Sequence, residues 1–102
     1  MMRIIVLFNL KEGVDPAAYE EWARTTDIPG VRGLKSVEDF QVYRATGLFG
    51  SDATPPYAYF EVIDITGIDA FEGDASSEAV QKVAAEFQQF ADNPLFVTTE
   101  AL

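Results

Sequence analysis

The spacing of hydrophobic and polar positions changes repeatedly along this chain, and the order of the changes predicts a fold. Met2 to Leu10 is almost wholly apolar and β-branched, as in a central strand covered on both faces. Asp15 followed by Pro16 starts a helix that the pattern carries to about Arg24. The carboxylate can accept orphan amide hydrogens, and proline is tolerated in a first turn. Ala18, Tyr19, Trp22 and Ala23 share one face of it. Pro29, Gly30 and Gly33 then predict a non-helical connection from about Thr25 to Lys35. Val37 to Arg44 alternates, with Val37, Asp39, Gln41 and Tyr43 on one face and Glu38, Phe40, Val42 and Arg44 on the other. The polar, Gly- and Pro-containing segment from Ala45 to Pro56 is too long for a tight hairpin, and loops of this length are often functional.

Tyr57 to Ile65 alternates again. After a short irregular or helical turn around Asp69 to Phe71, Ser76 or Ser77 caps a second full helix. Its apolar stripe is Val80, Val83, Ala84, Phe87 and Ala91. Asn93-Pro94 ends that helix, and Leu95 to Leu102 closes the chain as a strand. The order is βαββαβ, an α+β ferredoxin-like plait occupying residues 1–102 as one domain.

Helices cover only one face of such a sheet. On the third strand the apolar set Ala58, Phe60 and Val62 suits the helix side, which leaves Tyr57, Tyr59 and Glu61 on the open face. Two copies packed sheet to sheet would bury that face and enclose a chamber, giving a homodimeric α+β barrel. The alternative is a monomer with half-exposed tyrosines.

Composition narrows the chemistry mainly by what is missing. The 102 residues contain no cysteine and no histidine, which removes disulfides, thiolate nucleophiles, imidazole bases and a histidine-ligated haem. Without those two residue types a transition-metal site is not expected, and the sequence has no phosphate loop, dinucleotide fingerprint or nucleophile elbow. No cofactor is expected. The net charge of −10, from 17 acidic against 7 basic residues, opposes binding to nucleic acid or an anionic membrane. No apolar run approaches the roughly 20 residues of a membrane span, and Ile4 to Phe8 is too short for a signal segment. A cytoplasmic protein is expected.

Glu61 is the sharpest candidate for catalysis. A carboxyl aimed into an apolar chamber is harder to ionise, which makes it an acid or base near neutrality. The plainer alternative is a buried Glu paired with Arg44, Arg3 or a tyrosine. Arg44 could hold an anionic substrate group, or form a salt bridge with Glu61 or Asp64. Asn9 could orient a carbonyl or simply begin a turn. Tyr57 and Tyr59 could stack on a flat ligand; Trp22 could do so too, or belong to the core with Tyr19. Asp27 sits in a connection that could rim the chamber, where a capping or turn role suffices.

The run from Arg3 through Asn9-Leu-Lys-Glu-Gly-Val-Asp15 to Pro16-Ala-Ala-Tyr-Glu-Glu-Trp22 resembles the REDY-like HapK proteins. The resemblance continues through Ser36-Val37, Phe40-Gln-Val-Tyr-Arg44, Pro56-Tyr57, Glu61-Val-Ile-Asp64 and Phe87-Gln-Gln-Phe-Ala-Asp92 to the closing Thr-Glu-Ala-Leu. It implies a dimeric α+β barrel and the setting of small-molecule biosynthesis, in clusters for prodigiosin-type tripyrrole pigments. It implies no set of catalytic residues. Related barrels that oxygenate polyketide-like substrates often place a histidine near the first helix, where this chain has Thr25-Thr-Asp-Ile-Pro29. Three readings follow. The first is a cofactor-free protein that binds a flat, largely apolar pyrrole- or polyketide-like intermediate and assists proton transfer, condensation or cyclisation. The second is a non-catalytic carrier for such an intermediate, and the third a cofactor-independent monooxygenase.

Overall fold

In the computed structural model, which describes residues 2–102, four antiparallel strands form one sheet in the order β2-β3-β1-β4. The strands are β1 (Met2–Leu10), β2 (Val37–Arg44), β3 (Tyr59–Ile65) and β4 (Ala91–Thr99). Helices α1 (Pro16–Trp22), α2 (Ile28–Arg32), α3 (Ile68–Ala75) and α4 (Glu78–Phe90) connect them. This is the ferredoxin-like α+β arrangement the pattern predicts. Asp15 caps α1 by accepting from the Ala17 amide, and Ser77 caps α4 by accepting from Val80.

The expected break after Arg24 does not occur. Ala23–Asp27 forms a π-helical turn, closed by the Ile28 amide donating to the Ala23 carbonyl, and α2 continues directly from it to Arg32. Pro29 falls in the first turn of α2, where its missing N–H costs little, and Gly33 serves as the C-cap. The wider π turn rotates the helix so that Asp27 lies buried on the side already occupied by Tyr19 and Ala23.

The last strand also begins earlier than expected, at Ala91 directly after α4. Asn93 adopts a left-handed φ of 46° where the β1–β4 register shifts. Pro94 is accepted because β4 is an edge strand and need not donate on its outer side.

The core lies between sheet and helices. In register across the sheet, Arg44, Tyr59 and Phe8 form one row, and Val42, Glu61, Val6 and Phe96 the next. Phe40, Ile63, Ile4 and Thr98 form a third. Phe8 stacks on Tyr59 at 5.5 Å and meets Phe87 edge-on at 5.0 Å. The assignment of faces on β3 is therefore the reverse of the expectation. Tyr59 and Glu61 face the helices and are buried, whereas Phe60 and Val62 lie on the open face beside Leu7 and Ile5. Over residues 59–62 the open-face pair, Phe60 and Val62, is more apolar than the helix-facing Tyr59 and Glu61, which misleads any rule that sends the apolar set inward.

Candidate functional site

The site begins with a carboxyl where the sheet pattern calls for an aliphatic side chain. Glu61 sits mid-strand between Val42 and Val6, is only 5 % exposed, and faces the helix layer. Above it, the π turn delivers Asp27, also 5 % exposed. Neither the expected Arg44 nor Arg3 reaches Glu61. Arg3 donates to Asp64 at 2.7 Å and 3.1 Å, and Arg44 donates to Glu20 at 2.7 Å and 2.9 Å.

Asp27 Oδ2 and Glu61 Oε2 are thus buried with no hydrogen-bond partner outside the pair among the described residues, and the Tyr19 hydroxyl close by is buried without a partner too. The two carboxyls are within reach of each other, and a hydrogen bond between them requires one to carry a proton. Burial pushes Asp27 from the ordinary 3.8 up to about 7, with a hydrogen bond from Glu61 holding it back from a further rise. Burial, and then the neighbouring Asp27 charge, push Glu61 well above the ordinary range. Glu61 is therefore the protonated partner and donates to Asp27, with the two titrating as a pair. Desolvation, then the two carboxylates, raise the Tyr19 hydroxyl as well.

The pair forms part of the lining of a cleft of about 220 Å3 between the helices and the sheet. Its walls are Phe40, Phe71, Phe87 and Phe96 together with aliphatic side chains from α2, α4 and β3. Among the described residues that line it, the polar side chains are Asp27, Glu61 and Gln88. An apolar cavity of about 150 Å3 accepts benzene, so this cleft suits one ring or a small fused pair.

A second concavity of about 230 Å3 opens toward α1 and contains other expected site residues. Glu20 is its hub, accepting from the Tyr59 hydroxyl at 2.7 Å as well as from Arg44, with Arg24 at 3.4 Å. The Tyr59 hydrogen bond, then the arginines against the opposing effect of desolvation, hold Glu20 below the ordinary carboxylate range. Burial, then Glu20, raise Tyr59 to about 12.

The other expected ligand-binding residues are dispersed. Asn9 Nδ2 donates to the Pro56 carbonyl at 3.0 Å, and its Oδ1 accepts from the Ala58 amide at 2.9 Å, which fastens the end of the 45–58 loop. Tyr57 precedes β3 rather than belonging to it, so it does not share a strand face with Tyr59. Trp22 packs against Phe87 and Phe90 and donates to Glu86 at 3.0 Å, as a core residue does. Asp27 escaped sequence reasoning as a partner for Glu61. The one local signal was its position in helical continuation from Tyr19 and Ala23.

The family model for the REDY-like protein HapK matches residues 2–102. The crystal structure of HapK from Hahella chejuensis is 31 % identical and superposes with a TM-score of 0.79, covering 100 % of this chain and 93 % of that one. A dimeric ferredoxin-like protein of unknown function from Thermobifida fusca is 19 % identical, with a TM-score of 0.76 and coverage of 98 % and 90 %. SnoaB, a cofactor-independent oxygenase from Streptomyces nogalater, is 14 % identical, with a TM-score of 0.78 and coverage of 99 % and 92 %. No curated protein sequence matches significantly. The two more distant structures share the fold; the family match and the 31 % identity over the whole chain place this protein in the REDY-like HapK family.

Proposed function

We propose that this protein binds a small, flat, largely apolar biosynthetic intermediate in the cleft over Asp27 and Glu61 and moves a proton on it without a cofactor. The carrying observation is the pair itself, two carboxyls buried beside an apolar cleft with no cationic side chain among the described residues that line it. Such a pair holds one acid and one base side by side near neutral pH. The Asp27 carboxylate accepts a proton from an acidified C–H or N–H of the ligand. The Glu61 carboxylic acid returns one at a second position, so that the net change is an isomerisation, or the closure of a ring at the carbon made nucleophilic. The apolar walls exclude water and fix the plane of the ring. Arg44 and Tyr59 act indirectly, by holding Glu20 and with it the position of α1 over the sheet.

The fold partner proposed here is a second copy of the chain. Ile5, Leu7, Phe60, Val62, Leu95 and Val97 form the open sheet face, with Leu95, Val97 and the neighbouring Tyr43 exposed. Sheet-to-sheet packing would cover it, and the Thermobifida fusca relative is described as dimeric. The cleft then lies within each protomer, on the far side of the sheet from the interface.

Glu61→Gln is the test. It keeps the shape of the side chain and removes the proton, so turnover of the ligand should fall at least about 100-fold while fold and binding persist. Unchanged turnover would remove Glu61 from the chemistry. The carrier reading draws on the same nearly featureless walls. It would be supported by tight binding of an unaltered ligand that Glu61→Gln leaves intact.

A further inference from the structure

Two concavities meet at the buried pair. Asp27 and Glu61 themselves line the apolar cleft on one side. The polar concavity around Glu20 is lined by their immediate neighbours: Ala23 and Ile28, one turn before Asp27 and one residue after it, and Val42 and Tyr59, beside Glu61 in the sheet. Tyr19 belongs to this second wall. Resting on the proposed site, we infer that Tyr19 serves the pair as a positioning residue for protons. Its hydroxyl passes them between water in the polar concavity and the Asp27–Glu61 pair, so that the acid–base site is loaded from the side opposite its ligand.

Tyr19 is fully buried, and its hydroxyl has no hydrogen-bond partner among the described residues. A buried hydroxyl in that state costs about 1–3 kcal/mol, and phenylalanine would fill the same space without the cost. Loose packing does not account for it, because the ring meets Phe8 edge-on at 5.6 Å and Tyr59 at 4.9 Å. Burial first, then the charges of Glu61 and Asp27, oppose ionisation of the hydroxyl, which puts its oxygen near both carboxyls. Each carboxyl oxygen has two lone pairs, so the pair can still accept from the Tyr19 side, through one intervening water, after its own hydrogen bond has formed. The other hydroxyl in that wall, on Tyr59, is already committed to Glu20 at 2.7 Å. In the transfer, a hydronium ion or buffer acid in the concavity gives a proton to the Tyr19 oxygen while the Tyr19 proton leaves toward the carboxylate. The solvent side loses one positive charge, the pair loses one negative charge, and Tyr19 stays neutral throughout. An isomerisation leaves its proton on Asp27 and its charge on Glu61, which the bond between them resets. A ring closure that changes the proton count of the ligand has no such reset, and there the path to water is needed.

The test follows the carboxyl 13C signals of the intact protein through the titration of the pair. In the wild type the Asp27 and Glu61 signals should each move as one averaged line, because protons reach the pair quickly. Tyr19→Phe keeps the ring and should lower the exchange rate at least about tenfold, splitting both lines near their midpoints, while the midpoints stay within about half a pH unit. Val42→Phe, which fills the concavity and leaves the hydroxyl in place, should slow the exchange as well. A Tyr19 that only packs would alter the unfolding midpoint and leave the lines averaged. Separate lines in the wild type, or averaged lines in either variant, would overturn the inference and leave the proposed function standing. A pair with no titration above about pH 5 would remove the proposed function itself.

Discussion

Replacing both buried carboxyls by their amides, Asp27→Asn with Glu61→Gln, should make the protein more stable at neutral pH and remove a pH dependence. The sign follows from the direction of the shifts. A carboxyl raised by burial keeps its proton in the folded chain over a range where the unfolded chain has lost it. Stability therefore falls as pH rises from the ordinary carboxylate range toward the folded value. For Asp27 that window runs from 3.8 to about 7. At about 1.4 kcal/mol per pH unit, this removes up to about 4 kcal/mol between pH 4 and pH 8. Relaxation and water penetration reduce it, so we expect 2–4 kcal/mol, roughly. The opposite trend, from Glu20, Asp64 and Asp74, whose acidities are strengthened by their partners, is lost only as pH falls below the ordinary carboxylate range. It does not offset the decline above pH 5. Urea unfolding at fixed protein concentration from pH 5 to pH 8 covers about two pH units of that window, at most about 2.7 kcal/mol, and would show the midpoint of the wild type falling by about 1–1.8 M, at an m-value of about 1.5 kcal/mol/M. The double variant should be nearly flat over that interval and the more stable protein at pH 8. A wild-type midpoint that does not move, or a double variant that is weaker at pH 8, would refute the reasoning.

Other expectations separate the remaining residues. Asn9→Ala removes two hydrogen bonds that fasten the 45–58 loop and should cost about 1–3 kcal/mol, with faster amide exchange at Ala58. Tyr59→Phe loses a buried hydroxyl donor to a carboxylate and should cost about 1.5–3 kcal/mol, whereas Arg44→Ala, at an exposed end of the same cluster, should cost under about 1 kcal/mol by urea unfolding. Phe60→Glu on the open face should yield a folded monomer by sedimentation with unchanged far-ultraviolet circular dichroism; a dimer unaffected by it would place the interface elsewhere.

The order of elements along the chain and both helix starts were legible because local chemistry determines them: Asp15 before Pro16, Ser76 or Ser77 before an amphipathic run, of which Ser77 is the cap, and alternation through Val37–Arg44. The faces of β3 were not, because period-two alternation divides residues into two sets without naming the inner one. Apolarity is a poor guide where Phe60 and Val62 lie outside and Tyr59 and Glu61 inside. Pro29 and Gly33 read as breakers, yet both occupy helix positions that tolerate them, so the continuation that buries Asp27 was hidden. Pro94 likewise reads as a stop but is compatible with an edge strand, a status set by the tertiary order. The Asp27–Glu61 pair joins residues far apart in the chain through a π turn and a sheet register, and no local window holds both.

A pH titration of the carboxyl carbons by 13C NMR tests the central claim most directly, with Asp27→Asn and Glu61→Gln supplying the assignments. Among the 17 acidic residues, the Asp27 and Glu61 signals should titrate last, Asp27 near pH 7 and Glu61 well above the ordinary carboxylate range, and each should move when the other is substituted. If all the carboxyls titrate together below about pH 5, the buried pair holds no proton at neutrality, and the acid–base site proposed here does not exist.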